Sequence, residues 1–431
     1  MKLIIDNFPP ITQRCEIDLS KRVILFVGKN NSGKTYLSQL IWGINRYATY
    51  YQVLEPFKFI SYLEVKEYQV DINRSLLQKL SKRFTEYISN DIIKKIFKKD
   101  IECSFEILIE EQDINNISIQ YFDDNIRVSK TIDSTIITVE IIKYQEIKQI
   151  NIDLELILLS KIFQNTLFLP SSRLFFPSFY KYIFNMEKSF KDNMFENFEK
   201  INERNKKFYA PSYTQPIDIL IKKLIFELDK PNLDNRYLKI LSNIIEGDIS
   251  VDRAEEIAMA DISYNHKSGE NIPMYLSSSM VNQLSMLYLY FKYWHCSNNF
   301  LIMDEPEMNL HPSKKIEIME LLLDFASENR LLIATHSSSL AKSLINYLHL
   351  FDLKDKKENM QEFIDDNRLD MKLDINLKSN DIGIYAFNGK TIISYKNDNE
   401  SNIHFGTFTE IEELQNRQYD YIMEELDSYD S

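Results

Sequence analysis

The chain has 431 residues, 44% of them hydrophobic and 13% aromatic, enough apolar material for a sizeable core and too much for a disordered chain. Its formal net charge is -13, so its overall field does not draw nucleic acid, and only a local basic patch would serve that role. Cys15, Cys103 and Cys296 lie far apart without metal spacing, the first residues carry no signal core, and no uncharged apolar run is long enough for a bilayer. The expectation is a reduced, cytoplasmic protein with no membrane partner.

In chain order, Leu3 to Ile5 and Cys15 to Leu19 read as short strands. Arg22 to Val27 is a near-continuous apolar run, as in a strand buried on both faces of a parallel sheet. From Thr35 the period changes: Leu37, Leu40, Ile41 and Ile44 recur at helical steps. Ser75 to Lys99 reads as helical, and Ser104 to Ile109, Ile117 to Phe122 and Thr135 to Ile142 as strands. Leu167 to Leu169 is a further short apolar run, and Phe179 to Lys207 is charged and aromatic with helical spacing. Ile217 to Leu228 and Tyr237 to Ile245 are spaced as helices, and Phe300 to Met303 and Leu331 to Ala334 as buried strands. Gly383 to Asn388 and Thr391 to Tyr395 form a candidate hairpin across Gly389.

Gly28-Lys29-Asn30-Asn31-Ser32-Gly33-Lys34-Thr35 matches G-x-x-x-x-G-K-[ST] between a predicted strand and a predicted helix, the context that this phosphate loop requires. In that role the backbone N–H groups of Asn30 to Thr35 cradle the phosphates of ATP. Lys34 supplies charge to the β- and γ-phosphates, and the Thr35 hydroxyl ligates Mg²⁺. A chance glycine turn is the competing reading, but two of only 8 glycines fall in the loop.

Phe300 to Met303 ends in Asp304 and Glu305. A phosphate-loop protein needs an acid for the Mg²⁺ shell, expected on the strand beside the loop, and Asp304 is placed for it. Glu305, one residue beyond, is the candidate to polarise the attacking water. Alone the pair would read as a solvated loop. Glu305-Pro306-Glu307-Met308-Asn309-Leu310-His311-Pro312 then leads to a helix from Ser313 to Phe325, with Ser313 as N-cap. The strand ending at Thr335 delivers His336, a phosphate sensor in this order and otherwise a structural histidine. Ser277-Ser278-Ser279 before an apolar helix is an N-cap cluster or an anion site for a phosphate held by another subunit.

Taken together, GKNNSGKT, LSSSM, FLIMDEPEMNLHP and ATHS resemble ABC-type ATPases of the OLD and SMC kind. They are most similar to ATPase subunits of bacterial anti-phage systems of the PARIS, Septu and abortive-infection type. Leu169-Pro170-Ser171-Ser172-Arg173 resembles the Pro-Ala-Glu-Arg stretch of that group. The resemblance implies an α/β fold: an ABC-type P-loop ATPase head with a large α+β and helical insertion between Walker A and the signature. It implies a discontinuous head of residues 1–48 and 270–350, an α+β lobe of 49–165, a helical insertion of 166–269 and a C-terminal extension of 351–431 with a hairpin.

By the same resemblance Asp304 is the Walker B acid, Glu305 the catalytic glutamate and His336 the switch histidine. Ser277, in LSSSM, stands in the signature LSGGQ and would act in trans; here serines replace both glycines and methionine the glutamine. Gln52 and Gln69 are the candidate Q-loop residues. Asp370, Asp374 and Asp381 lack the spacing of the nuclease that OLD proteins carry. The implied partners are a second copy or a higher homo-oligomer, a separate nuclease or toxin effector, and a phage-derived trigger or DNA. An SMC-like DNA-repair or DNA-tethering ATPase is the alternative; it expects long heptad arms.

Overall fold

The computed structural model describes residues 1–49, 61–62, 67–122, 126–142, 149–150, 154–183, 185, 213–253, 259–354, 356, 359–367 and 371–395. β1 (Lys2–Asn7), β2 (Cys15–Asp18) and β3 (Val23–Gly28) lead into helix α1 (Lys34–Ala48). The insertion follows with β4 (Ser61–Tyr62), β5 (Glu67–Asp71), helix α2 (Arg74–Tyr87), helix α3 (Ile93–Phe97) and β6 (Ser104–Leu108). It continues through β7 (Ile119–Phe122), β8 (Ile126–Lys130), β9 (Ile136–Ile141), β10 (Gln149–Ile150) and β11 (Asn165–Leu169). Next come β12 (Gly247–Asp252), β13 (Asp261–His266), β14 (Asn271–Pro273), β15 (Asn299–Asp304), β16 (Arg330–Thr335), β17 (Ile382–Phe387) and β18 (Ile392–Ser394). The helices between them include Gln215–Phe226, Arg236–Ile245, Ser279–Leu289, Pro312–Ala326 and Ser338–Lys354.

The central sheet has the order β11-β15-β16-β3-β17-β18. β11, β15, β16, β3 and β17 run parallel, and β18 turns back against β17. Each parallel strand alternates its side chains between two helical layers. Val23, Leu25, Val27, Leu301, Met303, Leu331 and Ile333 face one apolar cluster, built with the helices Ser279–Leu289, Pro312–Ala326 and Ser338–Lys354. Ile24, Phe26, Phe300, Ile302, Leu332 and Ala334 face the other, built with α1, α2 and the antiparallel sheet β2-β1-β6. The insertion therefore shares its core with the head: β6 pairs with β1, and α3 lies on α1.

The strand order corrects one expectation. The neighbours of β3 are β17 and β16, the strand that leads to His336, and β15 with Asp304 lies one place beyond β16. Register explains why the acid still reaches the loop. Asp304 stands opposite Ala334, and Ala334 opposite Phe26, so all three strands end level at one edge. That carboxyl edge of a parallel sheet is where ligands bind in such folds.

Other differences are local. The stretch Ser75 to Lys99 holds two helices, α2 and α3, joined by a widened π turn at Ile88–Ile92. His311, not Ser313, caps the helix Pro312–Ala326: its ring nitrogen accepts from the Ser313 N–H and Pro312 takes the first turn, where no N–H is needed. The stretch 166–269 holds the expected helices and also the strands β12 and β13. Of the aromatic run from Phe179 to Lys207, residues 184 and 186–207 lie outside the described residues. Among the described residues no helix is long and apolar enough to cross a membrane.

Candidate nucleotide site

The phosphate loop leaves β3 and closes on the N-terminus of α1. Asn31 and Gly33 hold positive φ, 62° and 98°. A β-carbon on Gly33 would stand 2.7 Å from the Pro10 ring, so only glycine lets the loop pass beneath the turn between β1 and β2. Gly33 is also the N-cap of α1 and supplies no side-chain acceptor, which leaves the first-turn N–H groups open to an anion. The Lys34 ammonium folds back over the loop and donates to the carbonyls of Gly28 and Lys29, both at 2.8 Å. Burial pulls its pKa down, while the carboxylates of Asp304, Glu305 and Glu307 push the other way.

Asp304 is 3% exposed. Its Oδ2 accepts from the Thr35 hydroxyl at 2.7 Å. Burial lifts the Asp304 carboxyl to about 6, opposed by the Thr35 hydrogen bond and reinforced by Glu305. A buried carboxylate beside a hydroxyl is a pair of hard oxygen donors, and such donors fit Mg²⁺.

Glu305 follows in the left-handed region, φ 49°, at a cost of order 1 kcal/mol for a residue with a β-carbon. Its N–H donates to the Ala334 carbonyl at 2.7 Å, and its Oε1 meets His336 Nδ1 at 2.9 Å. Glu307, buried, accepts from the Thr335 hydroxyl, which ties the loop after β15 to the end of β16. Burial raises the Glu307 pKa.

A cleft of about 870 Å³ opens over the loop. Asn30 to Tyr36 form its floor, Glu305 is on its lining, and Phe97 and Lys99 to Glu102 bring the insertion into its wall. The rings of Tyr36 and Phe97 stack at 5.5 Å and 12°, and Lys99 donates to the Tyr36 hydroxyl at 2.9 Å.

Asn30, Asn31, Ser32, Gly33, Lys34, Thr35, Asp304, Glu305 and His336 therefore come together. Ser277 is elsewhere, on the turn before the helix Ser279–Leu289. Its hydroxyl donates to the Met274 carbonyl at 2.7 Å, and Ser278 is the residue that caps the helix, accepting from the Val281 N–H at 3.2 Å. Gln69 lies within β5 opposite Thr138, and Gln52 is outside the described residues. Asp381 caps a turn through the Lys378 N–H at 2.9 Å, and Asp370 is outside the described residues.

Arg173 was legible only as part of a familiar stretch, with no role attached. It is fully buried and donates to the Asp304 carbonyl at 2.6 Å and the Glu305 carbonyl at 2.9 Å. Burial lowers its pKa to about 10. No local pattern announces such a contact, because its partners lie on β15, far along the chain.

Residues 1–341 match the family described as an AAA ATPase domain. The chain belongs to that family. It is an α/β P-loop ATPase and binds ATP. Among solved structures it is similar to an SMC head bound to the C-winged helix domain of ScpA, with TM-score 0.39 and 12% identity over 92% of this chain and 98% of that one. An Smc head with an extended coiled coil from Pyrococcus furiosus gives 0.36 and 12% over 96% and 98%. The SMC head domain from Thermotoga maritima gives 0.31 and 11% over 92% and 98%. No curated protein matches the chain.

Proposed function

We propose that this ATPase is a nucleotide-driven switch whose catalytic site is completed by a second copy. Lys34 and the N–H groups of Asn30 to Thr35 hold the phosphates, and Thr35 and Asp304 hold Mg²⁺. The metal would supply charge neutralisation at the phosphates. Glu305 accepts the proton of the attacking water, and His336, hydrogen-bonded to Glu305, orients that carboxylate and senses the terminal phosphate. The Tyr36–Phe97 stack offers an aromatic edge to the purine. Ser277 of a second copy covers the exposed end of the triphosphate. In this reading residues 1–48 and 270–350 act as one head, with 49–165 and 166–269 inserted and 351–431 as an extension, except that β11 and β17 are strands of the head's own sheet and belong with it.

The observation that carries the hydrolytic reading is the run of contacts Thr35–Asp304 and Glu305–His336 at the edge of one cleft. Glu305→Gln keeps the Mg²⁺ ligands and removes the base. It is expected to bind ATP with unchanged affinity, lose turnover, and accumulate as an ATP-bound dimer in size-exclusion chromatography. Turnover at the wild-type rate would move the role of base to another group, His336 first.

At the cellular level we propose a cytoplasmic sensor subunit of an anti-phage system that controls a separate nuclease or toxin. The support is the joint occurrence of NNSGKT, EPEMNLHP and ATHS, with the large insertion. Phage challenge of cells carrying the chain with its neighbouring genes tests this. Protection that disappears with Lys34→Ala is the expected result. Unaffected plaque counts, with a recombination protein co-purifying, would favour DNA tethering instead.

A further inference from the structure

Arg173 is not among the residues that line the nucleotide cleft. It follows β11 in a short 3₁₀ turn, Ser171–Phe175, and its guanidinium is completely buried. Every N–H of the group has an acceptor. Nη1 donates to the carbonyls of Pro170 at 3.0 Å and Asp304 at 2.6 Å. Nη2 donates to the Glu305 carbonyl at 2.9 Å, and Nε to the Gln283 carbonyl at 3.3 Å. The Gln283 side chain, with its amide oxygen turned inward, accepts from Nη2 at 2.6 Å. One rigid fork thus joins the end of β11, the helix Ser279–Leu289 and the end of β15.

The carbonyls of Asp304, at the end of β15, and of Glu305, just beyond it, lie on either side of the Glu305 side chain. The Asp304 carbonyl belongs to the peptide before Glu305 and the Glu305 carbonyl to the peptide after it, so a single planar group holds both. The Glu305 N–H is held from the other side by Ala334. Glu305 holds φ 49°, a left-handed conformation that costs a residue with a β-carbon of order 1 kcal/mol and that these backbone contacts offset. A carboxylate that must meet a water within a fraction of an ångström needs such a constraint.

We propose that Arg173 is a positioning residue for hydrolysis: it locks the backbone on both sides of Glu305 so that this carboxylate points into the nucleotide cleft. The inference rests on Glu305 as the base. It differs from a stabilising role because it acts on the chemical step and through one residue. Lysine would keep the charge but has no planar fork to hold two carbonyls at once.

The test is a comparison of Arg173→Lys, Glu305→Gln and the double variant in the full chain, by single-turnover ATP hydrolysis and titration of a fluorescent ATP analogue. Arg173→Lys is expected to lower the hydrolysis rate about a hundred-fold while nucleotide affinity stays near wild type. In the Glu305→Gln background the same change is expected to slow residual turnover no further, because the residue it positions has already been disabled. Wild-type turnover by Arg173→Lys, with Glu305→Gln inactive, overturns the Arg173 inference alone. An equal loss in both backgrounds, or affinity falling with the rate, overturns it in favour of general stabilisation. Full turnover by Glu305→Gln overturns both readings. If Arg173→Lys does not fold, Gln283→Met removes the one side-chain acceptor of the fork, with little change of volume, and loosens it while its backbone acceptors remain. A smaller loss of the same selective kind is then expected, and unchanged turnover overturns the proposal.

Discussion

Asp304 shows what the fold spends to place a carboxyl at this site. Its carboxyl is almost wholly buried, and burial has lifted its pKa to about 6 from an ordinary value near 3.8. The sign of the pH dependence follows. Above pH 6 the folded chain buries a charge that the unfolded chain keeps in water, which counts against folding by up to about 3 kcal/mol. Only below about pH 3, under both values, are both states neutral there and the penalty gone. Without nucleotide or Mg²⁺, Asp304→Asn is therefore expected to raise the melting temperature at alkaline pH and to leave it unchanged near about pH 3. Differential scanning fluorimetry across that range checks it. A gain of equal size at both ends would place the effect outside this ionisation. At the Mg²⁺ site proposed above, a cation held by Thr35 and Asp304 would neutralise a charge the fold has already desolvated.

At the scale of elements, the meeting of α1 with α3 joins the phosphate loop to the insertion. Gly43 lies in the middle of α1, and a β-carbon there would stand 2.0 Å from the Ile96 Cδ1 and 2.8 Å from its Cγ1. Ile96 is fully buried and cannot swing into solvent. Gly43→Ala is expected to cost about 1–3 kcal/mol through overpacking and to shift α3, whose last residue is Phe97. Because Phe97 stacks on Tyr36, nucleotide binding should weaken as well, while binding of inorganic pyrophosphate, which has no base, should hold. Equal weakening for both ligands would show that the stack does not meet the base. The antiparallel pairing of β1 with β6 has the same effect, making the insertion part of the floor of the head.

At the scale of the whole molecule the proposal is that a second copy covers the cleft over Lys34. The cleft over Lys34 is lined by the loop, Glu305 and the insertion, whereas Ser277 sits on a separate turn flanked by the exposed side chains of Tyr275 and Leu276. Two copies related by a two-fold axis would complete two sites at once. Lys34→Ala removes a charge-assisted phosphate contact worth about 1.5–3 kcal/mol, and Ser277→Arg blocks the opposite half. Each variant alone is expected to be inactive. A mixture is expected to recover part of the ATPase rate, since one site of each mixed dimer keeps both halves. Mixed dimers that form and stay inactive would show that each protomer hydrolyses ATP alone.

Much of the head could be read in advance because its signals are local. A buried parallel strand is a short apolar run, and a phosphate loop is a fixed spacing between a strand and a helix, so β3, β15, β16 and α1 were visible from side-chain pattern. The strands β8 and β12 were not, since Ile126–Lys130 and Gly247–Asp252 carry half-exposed, mixed patterns whose meaning depends on the strand beside them. The sequence nominates the residues proposed to carry the chemistry: Lys34, Thr35, Asp304, Glu305 and His336 stand in motifs that point to it. It left undecided that β16 lies between β3 and β15, that Arg173 grips the backbone around Glu305, and that Phe97 from the insertion stacks on Tyr36. Only tertiary structure decides these, because strand order, a buried fork with backbone acceptors and a ring stack across segments are contacts between distant parts of the chain. No spacing along it encodes them.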